Sequence, residues 1–128
     1  MNIATFEELL IAAALQPQPQ RLLLAFAVAE PDPDAQPGAT ARSTLVPVMC
    51  VDKQVGELDT FKNLADEAQG MGQAWDVLLI TTLSGTEGRL PDPQQTDAAL
   101  NKMLSAIQQG QMERFLAFDR QGDLMSYA

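Results

Sequence analysis

The residues best suited to bind a ligand lie in one short polar loop. Ser84, Gly85, Thr86, Gly88 and Arg89 follow an apolar segment with the composition of a buried strand. Glycines let a ligand approach the backbone closely, and a guanidinium pairs well with a carboxylate or phosphate. The spacing matches neither a P-loop nor the dinucleotide-binding glycine motif. The sequence therefore favours a connecting turn and leaves a small-anion site as the alternative.

The chain contains no histidine and one cysteine among its 128 residues. Histidine is the side chain that most readily exchanges a proton at neutral pH, and it is the commonest metal ligand. Without it, neither a Ser-His-Asp triad nor a Cys-His pair can form within one chain. We therefore predict no catalytic residue, no metal and no cofactor, and keep a carboxylate-based enzyme acting at residues 84–89 as an alternative.

The single cysteine, Cys50, lies in an apolar, β-branched segment, residues 44–51. A reactive thiol needs an exposed and electropositive setting, and Lys53 is the only nearby cation in the sequence. Free cysteine is otherwise among the most buried residue types. We expect Cys50 to be a core thiol, and dispersed methionines such as Met71, Met103 and Met125 to fill the core as well.

Acidic residues dominate the charge of the chain. Seventeen Asp and Glu against eight Lys and Arg give a formal net charge of −9, and the basic residues are scattered singly. Nucleic acid and anionic membranes are therefore improbable partners. The acidic segment 30–43, which includes Glu30, Asp32 and Asp34, would suit a basic protein partner. No apolar run approaches the ~20 residues of a membrane span, and the N-terminus has acids where a signal peptide has Lys or Arg, so we expect a cytoplasmic location.

Apolar periodicity predicts three helices and five strands in the order α-β-β-α-β-α-β-β. Proline and glycine clusters separate these elements, and no linker divides the chain into two domains. The predicted helices are 5–15, one that begins at Asp59 or Thr60, and one that begins at Thr96; the predicted strands are 21–29, 44–51, 76–83, 114–118 and 124–127.

These elements fit a single α/β (α+β) domain, residues 1–128, with one mixed sheet of about five strands and helices packed on it. The hairpins at either end predict antiparallel pairs, whereas the helical connections leave parallel pairs open. Pro47 cannot donate a hydrogen bond to a neighbouring strand, so it indicates an edge strand or a bulge. Because an edge strand can pair with another chain, we expect a homodimer and a non-enzymatic role in protein interaction or regulation.

Several segments resemble a family of small, uncharacterised proteobacterial proteins. The resemblance rests on Phe6-Glu7-Glu8-Leu9-Leu10, Gln20-Arg21-Leu22-Leu23, Val46-Pro47-Val48-Met49-Cys50-Val51-Asp52-Lys53 and Phe115-Leu116-Ala117-Phe118-Asp119-Arg120-Gln121-Gly122. Some members of that family carry the label "ribonucleotide reductase subunit alpha". Radical reduction of a nucleotide needs several redox cysteines and a large barrel, whereas this chain has Cys50 alone. The resemblance therefore implies no activity and no catalytic residue here.

Overall fold

A computed structural model describes residues 3–30 and 44–125 of the chain. It confirms the predicted fold class and element order, with one five-stranded sheet and three helices. The helices are α1 (Phe6–Ala14), α2 (Phe61–Gly70) and α3 (Pro93–Gln108). The strands are β1 (Gln20–Glu30), β2 (Thr44–Gln54), β3 (Val77–Ser84), β4 (Leu116–Phe118) and β5 (Leu124–Met125). The predicted acidic loop, with Asp32 and Asp34, falls mostly outside the described residues.

The sheet has the strand order β2-β1-β3-β4-β5, and every described pair is antiparallel. The parallel pairs that the helical connections left open do not form. Both β2 and β3 pair with β1, so they run in the same direction on either side of it. The crossover through α2 therefore links two strands that do not touch, and β1 lies next to the edge strand rather than at an edge.

The continuous apolar run of β1 is explained by helices on both faces of the sheet. Leu22, Leu24 and Phe26 belong to one buried cluster, with side chains from α1 and α2. The alternate residues Leu23 and Ala25 belong to a second cluster, with side chains from α3. Side chains alternate between faces along a strand, so a strand covered on both sides must be apolar at every position.

Aromatic side chains hold α1 and α2 on their face of the sheet. Phe6 of α1 makes edge-to-face contacts with Phe61 of α2, at 5.8 Å between ring centroids, and with Phe118 of β4, at 6.3 Å. Trp75, just before β3, contacts Phe26 at 5.1 Å. Most of the chain's few aromatic rings are therefore concentrated in one cluster, which joins both helices to three strands.

The start of α3 differs from the prediction. The helix begins at Pro93, with Asp92 as its N-cap, rather than at Thr96. The Asp92 carboxylate accepts from the Gln95 N–H at 2.7 Å, and the Gln95 side chain accepts from the Asp92 N–H at 3.0 Å. This reciprocal pair, with proline in the first turn, fixes the helix start one turn before the first buried side chain.

Pro47 predicted an edge strand or a bulge, and both are present, because β2 is an edge strand and carries a bulge. The pairing register with β1 shifts between Phe26, which is opposite Met49, and Ala27, which is opposite Pro47. The predicted terminal hairpin also forms. Its turn is closed by a hydrogen bond from Gly122 N–H to Asp119 O at 3.1 Å.

We predict that Phe6→Ala lowers the free energy of unfolding by about 3–5 kcal/mol, because it leaves a cavity among the packed rings. Ile11→Ala in the same helix is the matched control. Ile11 is 56% exposed, so its replacement should change stability by no more than about 0.5 kcal/mol. Urea unfolding followed by circular dichroism measures both, and equal losses would contradict this packing.

Candidate functional site

The structure brings Ser84, Gly85, Thr86, Gly88 and Arg89 together as a tight turn at the end of β3. Thr86 N–H donates to Arg89 O at 3.1 Å, and Arg89 N–H donates to Thr86 O at 2.9 Å. The two residues between them have positive φ, 53° at Glu87 and 75° at Gly88. This pattern is typical of a type I′ turn, which explains the glycine at position 88 without a ligand.

Further hydrogen bonds fasten this turn to the segment before β1. Gly85 N–H donates to Pro19 O at 2.8 Å, and Gly88 N–H donates to Gln18 Oε1 at 2.8 Å. Ser84 Oγ accepts from Gln20 Nε2 at 2.7 Å. The amides of residues 85, 86, 88 and 89 thus all donate within the chain. Anion binding at this loop remains a prediction, and it would depend on the side chains of Thr86 and Arg89 rather than on those amides.

Arg21 forms an ion pair that the sequence did not reveal. Its Nη1 donates to Asp52 Oδ2 at 2.9 Å and its Nη2 to Pro91 O at 3.3 Å. One largely buried guanidinium therefore ties β1 to β2 and to the segment before α3. The only signal in the sequence is an arginine at the start of an apolar run, because the pairing with Asp52 depends on the β1–β2 register.

Among the described strands, β2 is an outer strand of the sheet, so one of its two edges has no strand paired to it. Gln20 pairs with Ser84, so Pro19 lies opposite Gly85, and the Gly85 N–H donates to Pro19 O. Because hydrogen-bonded pairs alternate along antiparallel strands, the backbone groups of the odd-numbered residues of β1 bond to β3. Even-numbered residues of β1 then bond to β2. Leu24 pairs with Val51, which therefore directs its N–H and C=O at β1. The N–H and C=O groups of the alternate residues point away from the sheet.

Along the open edge of β2, the outward backbone groups best placed to pair with another strand belong to Cys50 and Asp52. On one side of them, Pro47 has no N–H to offer. On the other side, the Gln54 N–H already donates to Glu57 Oε1 at 2.9 Å. Between these two ends, the outward N–H and C=O groups of Cys50 and Asp52 have no strand beside them among the described residues.

The expectation that Cys50 is buried is wrong, because its side chain is exposed. Cys50 lies opposite Ala25 on the α3 face of the sheet, but at the edge strand, where cover by a helix is incomplete. Lys53 does not activate the thiol, since it lies on the opposite face and donates to Glu67 of α2 at 2.9 Å. Nothing in this geometry therefore makes Cys50 a nucleophile.

An apolar strip borders the open edge on its α2 side. Met49 and Val51 of β2 line it together with Leu64, Ala68 and Met71. Met71 is 61% exposed, so the prediction that the methionines fill the core is wrong at this position, and Met125 is also exposed. A strand added beside β2 would place alternate side chains on this strip.

No three His, Cys, Asp or Glu side chains within residues 3–30 and 44–125 come together as ligands for a metal ion. Over the same ranges, no helix has the length and apolar character needed to cross a membrane.

Comparison with known proteins gives no match: no family model, curated protein or solved structure is significantly similar to this chain. The resemblance to the small proteobacterial family therefore stays a prediction.

We predict that Gly85→Ala destabilises the protein by about 1–3 kcal/mol, the range typical of overpacking. A Cβ at residue 85 would overlap the carbonyl group of Arg89, which the turn holds in place. Gly56→Ala is the control, since a Cβ there meets nothing and its φ is ordinary. Thermal unfolding of the two variants decides: similar midpoints would show that the 84–89 turn is not held tightly.

The ion pair between Lys53 of β2 and Glu67 of α2 predicts that the protein loses stability at alkaline pH. The hydrogen bond from Lys53 to Glu67 raises the pKa of the Lys53 ammonium above its ordinary value of 10.5, against some desolvation. Its contribution is therefore complete below 10.5 and disappears as the pH rises through the higher pKa of the folded state. Glu67→Gln should be less stable than wild type near neutral pH, with the difference vanishing at strongly alkaline pH. Urea midpoints across this range measure it, and a difference independent of pH would contradict the assignment.

Proposed function

We propose that this protein is a non-enzymatic interaction module that forms a homodimer by pairing β2 with β2 of a second copy. The observation that carries the proposal is the open edge at Cys50 and Asp52. Unpaired N–H and C=O groups along an edge strand are a template for another strand, and many proteins bind partners in this way. Among the described residues, the other edge of the sheet is β5, Leu124–Met125, which offers a shorter template.

The register of such a dimer follows from symmetry. Two identical edge strands that pair antiparallel are related by a two-fold axis perpendicular to the sheet. The side chains of facing residues therefore lie on the same face of the sheet. An axis at Val51 places each Cys50 opposite Asp52 of the second copy, with both sets of outward groups paired. An axis at Asp52 would instead oppose two carboxylates, which is unfavourable. We therefore expect the axis at Val51.

Two further features support a second copy as the partner. The edge carries one acid and one base, Asp52 and Lys53, so the pairing strands are locally neutral although the chain is strongly acidic. The apolar strip that ends at Met71 lies beside the same edge in both copies. Added side chains would lose water there, which contributes to association roughly in proportion to the apolar area buried.

The alternative functions have less support. A small-anion binder or a carboxylate-based enzyme at residues 84–89 would lack four of the loop's backbone amides, which already donate within the chain. A basic protein partner at residues 30–43 would bind mostly outside the described residues and stays a prediction. A regulatory role in the cytoplasm is part of the proposal and would be compatible with a free, exposed Cys50 thiol.

Two substitutions at Cys50 test the interface and its register. Cys50→Glu places a carboxylate opposite Asp52 of the second copy, twice per dimer, whereas Cys50→Lys places an ammonium there. Repulsion of about 0.2–1 kcal/mol per facing pair should weaken the dimer about 2- to 30-fold in the Glu variant. The Lys variant should bind at least as tightly as wild type. The exposed position lets both variants fold.

Sedimentation equilibrium over a wide concentration range measures the dissociation constants of the three proteins. A wild-type protein that stays monomeric at every concentration would overturn the homodimer. A dimer that responds equally to Cys50→Glu and Cys50→Lys would place the interface elsewhere on the molecule.

A further inference from the structure

A cleft of about 480 Å³ opens between α2 and the turn that joins β4 to β5. Lys62, Ala65 and Asp66 line it from the helix, and Arg120 and Gly122 line it from the turn. The cleft also reaches Trp75, the only tryptophan of the chain, whose side chain is 2% exposed. These residues are separate from the open edge of β2, so the cleft can serve a second function.

The indole N–H of Trp75 is buried and finds no hydrogen-bond partner among the described residues. Leaving such a donor unpaired is unfavourable, and most buried donors in folded proteins have an acceptor. The side chain itself is firmly held, since its ring packs edge-on against Phe26 and Phe61.

Arg120 is a second donor that is held next to this ring. Its guanidinium carbon lies 5.5 Å from the centroid of the Trp75 ring. Asp119 Oδ1 fixes the turn by accepting from the N–H groups of Gln121 and Asp123, both at 2.9 Å. The turn also packs so closely that a Cβ at Gly122 would lie 2.9 Å from the Phe61 ring.

Of the other charged groups in the cleft, Lys62 and Asp66 pair with each other, whereas the Glu7 carboxylate accepts from a backbone N–H. Asp66 accepts from Lys62 at 3.0 Å, and Glu7 accepts from the N–H of Phe61, at the start of α2, at 3.3 Å. Within residues 3–30 and 44–125, Arg120 is in no ion pair. In these ranges, the Trp75 indole N–H has no acceptor, and the Arg120 guanidinium over the same ring has no ion-pair partner.

We propose that this cleft binds a small oxyanion, the carboxylate or phosphate group of a metabolite. Arg120 supplies the charge, and the Trp75 indole N–H donates a hydrogen bond to the bound oxygen. A charged acceptor matches both groups at once, because hydrogen bonds to an ionised partner are about twice as strong as neutral ones. The apolar ring beside them excludes water from one side and favours a small ligand over a bare, hydrated ion.

The single tryptophan makes the test direct, because its indole N–H gives one signal in a ¹H–¹⁵N correlation spectrum. The full chain is titrated with sodium acetate and, separately, with sodium phosphate, with sodium chloride keeping the ionic strength constant. We expect a saturable shift of the indole signal with at least one of these probes. A response to acetate alone identifies a carboxylate ligand, and a response to phosphate alone identifies a phosphate.

Arg120→Gln should weaken the affinity for the active probe at least tenfold, since it removes the cation. Arg114→Gln, which removes the same charge from an exposed position outside the cleft, is the matched control and should bind as wild type does. No saturable shift with either probe, or equal affinities in the two variants, would overturn the proposal. The oligomeric state does not enter this readout, so it is independent of the proposed dimer.

Discussion

The structure depends on the burial of β1. This strand has a neighbour on both sides and helices over both faces, so neither its backbone nor most of its side chains meet water. Every backbone N–H and C=O in such a position must bond to an adjacent strand, because an unpaired group there is costly. The antiparallel pairing with β2 and β3 satisfies this requirement, and the two apolar clusters form on either side of it.

This arrangement determines where the molecule can contact others. The centre of the sheet is covered, and the polar turn at the end of β3 uses its amides to bond to the segment before β1. Among the described residues, two peripheral features stand out: the outer edge of β2, and the cleft beside Trp75 where α2 meets the β4–β5 turn. One offers backbone groups in a row, which suits an extended partner. The other holds the Arg120 guanidinium over the Trp75 ring, which is the basis of the proposed anion site.

The fold could be predicted largely from the sequence, because its strongest features are local. The nearly continuous apolar run that became β1 predicts a buried strand, and Pro47 predicts an edge strand or a bulge in β2. The start of α3 was misplaced because apolar spacing begins only near Thr96, whereas the cap at Asp92 and Pro93 decides where the helix begins. Local polar pairs of this kind are visible in a sequence only when they are sought explicitly.

The exposure of Cys50 and the contact between Trp75 and Arg120 could not be predicted, because they depend on contacts between distant segments. The exposure of Cys50 depends on how far α3 covers the edge of the sheet. The apolar character of residues 44–51 instead predicts a buried thiol. The meeting of Trp75 with Arg120 follows from the antiparallel pairing of β3 with β4 and from the turn after it. Strand order, which the sequence left open, decides both.

The most direct test of the central claim is amide hydrogen exchange, resolved by residue, in dilute and in concentrated protein. The N–H groups of Cys50 and Asp52 should exchange rapidly when the protein is dilute and become protected as its concentration rises. The N–H of Val51, bonded to β1 in every state, is the internal reference and should be protected throughout. Exchange at Cys50 and Asp52 that does not change with concentration would contradict pairing through the edge of β2.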